Sequence, residues 1–438
     1  MDTEPARASL SASGRPAMSA WRFVVWFGIV AMFADIVYEG ARSITGPLLA
    51  SLGASALVVG VVTGVGEAAA LLLRLVSGPL TDRTGRFWAW TLAGYALTVV
   101  SVPLLGLASA LWVASGLVIA ERVGKAVRSP AKDTLLSHAT AVTGRGRGFA
   151  VHEALDQVGA LTGPLAVAGV LAVTGNDYTP ALLVLAVPGV VAFALVVWLC
   201  VRVPRPALYE LERETATSTP TGVTAGSVET TADDARDAEA GGPRIEAVPV
   251  VPTGVLPGAF WAYAAFAGLT TIGFATFGVL SFHLVTAGLL SAAAVPVLYA
   301  AAMVVDAVAA VATGLAYDRL GARVLVVLPF VAALVPMLAF SGTVAVAVVG
   351  ALAWGVALGV QESTLRATVA DLVGPGRRAT AYGIFGAVLG VSAAAGGALA
   401  GGLYEVSVPL LVSVTAVLQL LALTVLVVTL RRARASLR

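Results

Sequence analysis

Charge is what this 438-residue chain has least of: Asp, Glu, Lys and Arg make up 12%, where an ordinary soluble domain has about 25%. Hydrophobic residues fill 58%. Together these exclude a soluble globular enzyme and a disordered chain. The 27 basic and 25 acidic residues nearly cancel, at a formal +2, so there is no basic field for nucleic acid. One cysteine, Cys200, excludes a disulfide framework or a thiolate cluster. His138, His152 and His283 stand far apart, and no metal site is expected. A nucleotide-binding loop, a His-Glu-x-x-His and a Gly-x-Ser-x-Gly are all missing, so neither ATP hydrolysis nor membrane-embedded catalysis is expected, nor any cofactor. Lysine has almost vanished: Lys125 and Lys132, seven residues apart, are the only two.

What remains is hydrophobic length. A membrane helix needs about 20 mostly apolar residues, and several stretches have no Asp, Glu, Lys or Arg: Phe87 to Ala120, Ala247 to Val305, Val324 to Gln361, Ala379 to Tyr404 and Val406 to Leu430. The pattern predicts twelve spans, at 22–50, 55–80, 87–107, 110–136, 148–173, 179–202, 257–286, 292–316, 323–341, 343–371, 378–403 and 407–430. The 47 glycines have no three-residue period and suit close approach of helices in lipid.

Loop charge orients the spans. One side collects Arg83, Arg86, Arg145, Arg147, Arg202, Arg319, Arg323, Arg377, Arg378 and the terminal arginines; turns on the other side have no Arg or Lys. Both termini are therefore expected in the cytoplasm and the chain in the plasma membrane. Residues 1–21 read as a polar tail without a signal-peptide core, and 431–438 as a basic tail. Residues 203–256 hold nine acids against four arginines among Thr, Pro, Gly and Ala. They read as a disordered acidic linker that divides bundles at 22–202 and 257–430.

The two halves repeat. Gly78-Pro79-Leu80-Thr81-Asp82-Arg83-Thr84-Gly85-Arg86 follows the second span; Gly314-Leu315-Ala316-Tyr317-Asp318-Arg319-Leu320-Gly321 follows the eighth. A shift of 236 superposes Gly, Asp, Arg and Gly, which points to internal duplication. The first loop resembles the signature of the major facilitator superfamily, Gly-x-Leu-[Ala/Ser]-Asp-[Arg/Lys]-x-Gly-[Arg/Lys]-[Arg/Lys], with Thr81 in the small-residue place and Phe87 in that of the last base. The resemblance spans all twelve helices. It implies an all-α integral membrane protein of two pseudo-symmetric six-helix bundles, working as a monomer by alternating access. It also implies that Asp82, Arg83 and Arg86, with Asp318 and Arg319, clamp cytoplasmic helix ends when the protein faces outward. Gly159-x-x-x-Gly163-Pro164 is similar to the antiporter motif of the fifth helix, and equally reads as small-residue packing.

Ionisable residues inside membrane spans are costly and mark function. At about 100° per residue, Asp35, Glu39 and Arg42 share one face of the first helix, and Glu121, Lys125, Arg128 and Lys132 one face of the fourth. Depth divides them. Asp35, Glu39, Arg42, Glu67, Glu121, Arg122 and Lys125 are expected at a substrate and proton cavity, with Asp306, Gln361, Glu362 and Arg366 opposite. Arg74, Arg128, Lys132, Asp133, His152 and Asp156 are expected as a cytoplasmic gate of ion pairs linking helices 1, 2, 4 and 5. Glu362 and Arg366, four apart, should pair, and His283 should lie near the outer interface. Pro130 has no N–H, so the Ala126 carbonyl loses its helix partner; an opened turn there would offer it to the cavity.

The leading functional expectation is a secondary transporter exporting a small molecule in exchange for protons. The alternative is proton-coupled symport of an organic anion. A reading from another class is a membrane sensor or scaffold that does not transport. The expected partners are the substrate, protons and the lipid bilayer.

Overall fold

The computed structural model describes residues 17–210, 256–374 and 377–435. Most of the expected N-terminal tail (1–16), most of the linker (211–255) and the last residues of the basic tail (436–438) lie outside the described residues.

Twelve membrane-length helical units follow one another with no strand among the described residues: α1 (Ala20–Ser51), α2 (Ala56–Leu72, continued by Arg74–Thr84), α3 (Phe87–Gly106), α4 (Leu111–Thr143), α5 (Arg145–Val173), α6 (Tyr178–Leu183 and Ala186–Arg202), α7 (Gly258–Ile272 and Phe277–Thr286), α8 (Ala294–Leu320), α9 (Val327–Ala339, entered by a 3₁₀ turn), α10 (Val344–Leu372), α11 (Arg378–Val406) and α12 (Val408–Ala435). Ten continuous stretches are apolar and long enough to cross a bilayer. The stretch Ala294–Ala339 among them contains both α8 and α9. α4 falls outside the ten because Glu121, Arg122, Lys125 and Arg128 crowd its middle.

Twelve crossings put both chain ends on one face, here the terminal face; the turns near residues 53, 175, 288 and 342 mark the opposite face. α2 packs on α11 and α5 on α8 across the bundle boundary, and α1 meets the second segment of α7. A shift of six helices exchanges the first two contacts, as a duplicated chain requires. The repeated loops share a backbone device too. Gly85 and Gly321 both sit at φ +60 where their helices end, with ψ of 8 and −152, and glycine reaches either conformation without a side-chain clash.

Toward the opposite face the bundles are sealed by small residues. A methyl group on Gly60 or Gly397 would run into the other's carbonyl oxygen, and one on Gly401 would run into Ala56. Glu405 Oε1 accepts from the Leu57 N–H at 2.7 Å, and Asn176 Oδ1 from the Ala293 N–H at 3.0 Å. His283 is buried near this face, with Nδ1 2.9 Å from the Tyr404 hydroxyl and Nε2 3.2 Å from the Ser341 carbonyl.

At the terminal face, residues 203–210 depart from the linker expectation. Val203 and Tyr209 are buried; Tyr209 donates to the Met18 carbonyl at 2.9 Å, and Trp88 to that of Val203 at 3.1 Å. The aromatic side chain of Tyr209 gives this end of the segment apolar surface to bury.

Candidate substrate cavity

The candidate site is built around Tyr38 of α1. Its ring is approached by three cations: Lys125 Nζ at 3.7 Å from the centroid, the Arg122 guanidinium at 4.5 Å and that of Arg42 at 5.9 Å. The negative face of an aromatic ring holds cations where few water molecules can. Tyr38 lies one helical turn from Arg42, so both share the charged face of α1.

Carboxylates lace two of these cations together. Arg42 reaches Glu39 at 3.5 Å and Glu67 at 3.2 Å; Arg122 reaches the same Glu67 oxygen at 3.4 Å and Glu121 at 3.4 Å. Glu67 thus bridges α1 and α4. The Tyr299 hydroxyl of α8 donates to Glu39 Oε2, so the network also ties the two bundles together. Deeper toward the terminal face, Arg128 lies 4.0 Å from Asp35, donates to Thr98 at 3.1 Å and covers the Tyr95 ring at 4.7 Å.

These groups border a cavity of about 290 Å³ between the bundles. The first bundle gives it Tyr38, Arg42, Glu67, Arg74, Arg122 and Lys125; the second gives Phe274, Phe277, Trp354, Gln361, Glu362 and Arg366. The aromatic wall is stiff. Trp354 stacks on Phe274 (centroids 5.9 Å, planes 5° apart) and tilts against Phe277 at 5.3 Å. It also donates Nε1–H to the Ala275 carbonyl at 3.0 Å. That carbonyl is free because α7 breaks between Ile272 and Phe277, and irregular backbone at membrane depth needs such partners. Thr276 starts the second segment and meets Thr63 of α2, oxygen to oxygen, at 3.0 Å.

The expected cavity residues divide on this geometry. Arg42, Glu67, Arg122, Lys125, Gln361, Glu362 and Arg366 line the cavity. Asp35, Glu39, Glu121 and Asp306 do not: all four are buried behind it. Asp306 Oδ1 has no hydrogen-bond partner. Glu362 and Arg366 form no ion pair with each other; both are solvent-exposed on the cavity wall, where water competes for them. Their exposure marks the open side of the cavity, toward the terminal face.

The gate expectation needs more correction. Arg74 lines the cavity and donates to Ser129 at 3.3 Å. Of the expected gate cluster only Arg128 joins an ion pair, with Asp35; Arg74, Lys132, Asp133, His152 and Asp156 form none among the described residues. The ion-pair network therefore links helices 1, 2 and 4 but not helix 5. His152 is buried beside Phe27, its Nε2 unpartnered. Asp82, Arg83, Arg86, Asp318 and Arg319 are exposed and form no ion pair among the described residues, and none of these residues lies close to the Gly78 α-carbon on its side-chain side. This arrangement, sealed at the opposite face, has no clamp formed at the terminal one.

Two backbone details were foreseen in part. α4 runs on through Pro130 instead of opening. The freed Ala126 carbonyl accepts from the Ser77 hydroxyl of α2 at 2.9 Å, so it braces two helices and is withheld from the cavity. Gly159 and Gly163 seat α5 on α1; a methyl on either would meet the carbonyl of Met32 or Ile36. Tyr38, Tyr299, Phe274, Phe277 and Thr63 escaped the sequence reading. The i, i+4 spacing of Tyr38 and Arg42 was the one signal available.

The comparisons agree with this architecture. The sequence profile of the Major Facilitator Superfamily matches residues 24–305. The chain is 60% identical over 413 residues, 94% of each protein, to an uncharacterized protein of Mycobacterium tuberculosis. It is 28% identical over 141 residues (32% of this chain and 35% of the other) to an uncharacterized MFS-type transporter of Methanocaldococcus jannaschii. Among solved structures, a point mutant of the nucleoside transporter NupG superposes with a TM-score of 0.70 at 11% identity, covering 93% of this chain and 99% of that one. A POT family transporter with a bound thioalcohol-conjugated peptide superposes with a TM-score of 0.69 at 13% identity, covering 94% and 96%. At such identities the structures speak for the fold. With the profile matching well over half of its length, the chain belongs to the Major Facilitator Superfamily, the transporter family whose twelve-helix fold it has.

Proposed function

We propose that the protein is a proton-coupled secondary transporter of a small organic anion, with the terminal face in the cytoplasm. One observation supports the reading above others: Lys125, Arg74 and Arg366 line the cavity with no carboxylate of the described residues in ion-pair reach. Five cations and two carboxylates border it (Arg42, Arg74, Arg122, Lys125 and Arg366; Glu67 and Glu362), an excess of 5 − 2 = 3 positive charges. A charge left unpaired at membrane depth is costly unless a ligand of opposite sign completes it. The Phe274–Trp354 wall suits the flat or apolar body of such an anion.

Coupling follows from Glu67. An anion drawn to Arg42 and Arg122 competes with Glu67 for both, which makes Glu67 the carboxylate where anion binding and proton coupling meet. Anion and proton then move together. This favours symport over the antiport expectation, because exchange against protons suits a cationic substrate. Closing the terminal face through the Asp82 and Asp318 loops while the α2–α11 seal opens would complete the cycle.

The test is lumenal pH in proteoliposomes containing a trapped dye, with benzenesulfonate added outside. This strong acid crosses lipid neither charged nor as a proton carrier. Symport acidifies the lumen, and Lys125→Ala abolishes the signal. Lumenal alkalinisation would establish antiport instead. Benzenesulfonate uptake with no pH change would remove proton coupling.

A further inference from the structure

A second space adjoins the central cavity: an apolar cleft of about 600 Å³ between α2 and α11, lined by Leu75, Gly383, Ile384, Ala387, Val388 and Val391 among others. It shares its walls with the cavity. On α2, Arg74 faces the cavity and Leu75 the cleft; on α11, Leu389 and Ala393 face the cavity and Val388 and Ser392 the cleft. Val391 and Leu75 are largely exposed on the outer surface of the bundle pair, the surface that faces lipid in a membrane.

The same two helices behave differently along their length. Toward the opposite face they touch backbone to backbone, at Gly60 with Gly397 and at Ala56 with Gly401. Nearer the break in α2 at Leu73 side chains take over from backbone: Leu71 and Leu72 approach Gly390 through Cβ and Cγ, beside the Ala68 carbonyl, and past the break the Leu75 tip alone reaches toward Gly383. A methyl on Gly386 would meet nothing within 4 Å. Past the break the partition between cavity and cleft thus rests on the tip of Leu75, which moves aside by side-chain rotation without parting the helices.

Resting on the anion reading above, we propose that the substrate is an amphiphilic anion. Its charged head sits among the cavity cations, paired with Lys125, Arg74 and Arg366 and competing with Glu67 for Arg42 and Arg122, and its alkyl chain leaves the cavity between α2 and α11 through the cleft. The cavity alone, at about 290 Å³, is at the lower end of what holds a drug-sized molecule. For a longer chain this cleft is an apolar exit beside the cations. The tail then stays out of water on its way between the site and the bilayer.

Two permanently charged probes separate head from tail: radiolabelled benzenesulfonate and radiolabelled decanesulfonate, each bound to protein in nanodiscs. Binding is counted as specific where Lys125→Ala removes it, which discounts partition into lipid. Leu75→Cys with Gly383→Cys, in a Cys200→Ser background, is bridged by a short methanethiosulfonate crosslinker that reductant removes. We expect both probes to bind the open protein. Bridging should cost decanesulfonate at least about tenfold in affinity, spare benzenesulfonate within about twofold, and be reversed by reductant. Ala387→Phe should reproduce the discrimination without chemistry. Equal binding of decanesulfonate to bridged and open protein, or no specific decanesulfonate binding beside normal benzenesulfonate binding, overturns the cleft proposal alone. Specific binding of neither probe overturns the anion reading with it.

Discussion

The two bundles share a fold and divide the chemistry. At the cavity the first supplies four of the five cations and one of the two carboxylates; the second supplies Phe274, Phe277 and Trp354, with Arg366 and Glu362 exposed at its rim. Behind the wall the asymmetry persists. Asp35, Glu39, Glu121, Arg128 and His152 are buried in the first bundle, and among the described residues only Asp306 and His283 in the second. A duplicated architecture has thus kept its backbone devices, such as the paired glycines at 85 and 321, while its side chains diverged. In this account the first bundle selects charge and the second holds the body of the substrate.

The largest break in that comparison should come from Arg122→Ala. It strands Glu121, buried and without its cation, and opening a buried pair costs about 3–5 kcal/mol. The unfolding temperature in nanodiscs should fall steeply, whereas Arg366→Ala, exposed at the rim, should leave it within about 0.5 kcal/mol of wild type. Next is Lys125→Ala. A charge-assisted contact is worth about 1.5–3 kcal/mol, so equilibrium binding of benzenesulfonate should weaken about 10–100-fold with little change in stability. On the aromatic side Trp354→Phe keeps a ring but drops its hydrogen bond to Ala275. Aromatic contacts are worth about 0.5–1.5 kcal/mol, so the same assay should show a loss of about two- to tenfold. If Trp354→Phe weakens binding more than Lys125→Ala, the division of labour is inverted. The smallest effect should be Ser77→Ala, which removes the donor to the Ala126 carbonyl. A net loss near 1 kcal/mol should lower the unfolding temperature slightly, and an unchanged value would mean that the carbonyl is satisfied elsewhere.

The fold was legible because bilayer thickness sets the length of an apolar run and loop charge sets its parity. All twelve expected spans correspond to observed helical units, and α4 was found despite its charges because they fall on one face. The site was legible one helix at a time. Helical spacing put Asp35, Glu39 and Arg42 together, but not which of them reaches open space: that depends on how α1 rotates against α5 and α8. So Asp35 and Glu39 proved to be buried supports, while Arg74, expected at the gate, lines the cavity. Relations between helices were the blind spot. Pro130 announced a free carbonyl, yet its partner Ser77 lies on another helix. Tyr38 was overlooked because charge was the search criterion, although its ring gathers the charges. Glu362 and Arg366 had the spacing of a pair and stay apart because the cavity is wet where they stand.

The most direct test of the division between the bundles compares two ligands with the same ring and opposite charge, benzenesulfonate and phenyltrimethylammonium, by equilibrium binding to the protein in nanodiscs. The account predicts that the anion binds, that Lys125→Ala weakens it at least about tenfold, and that the cation does not compete. Competition by phenyltrimethylammonium, or anion binding untouched by Lys125→Ala, would contradict it.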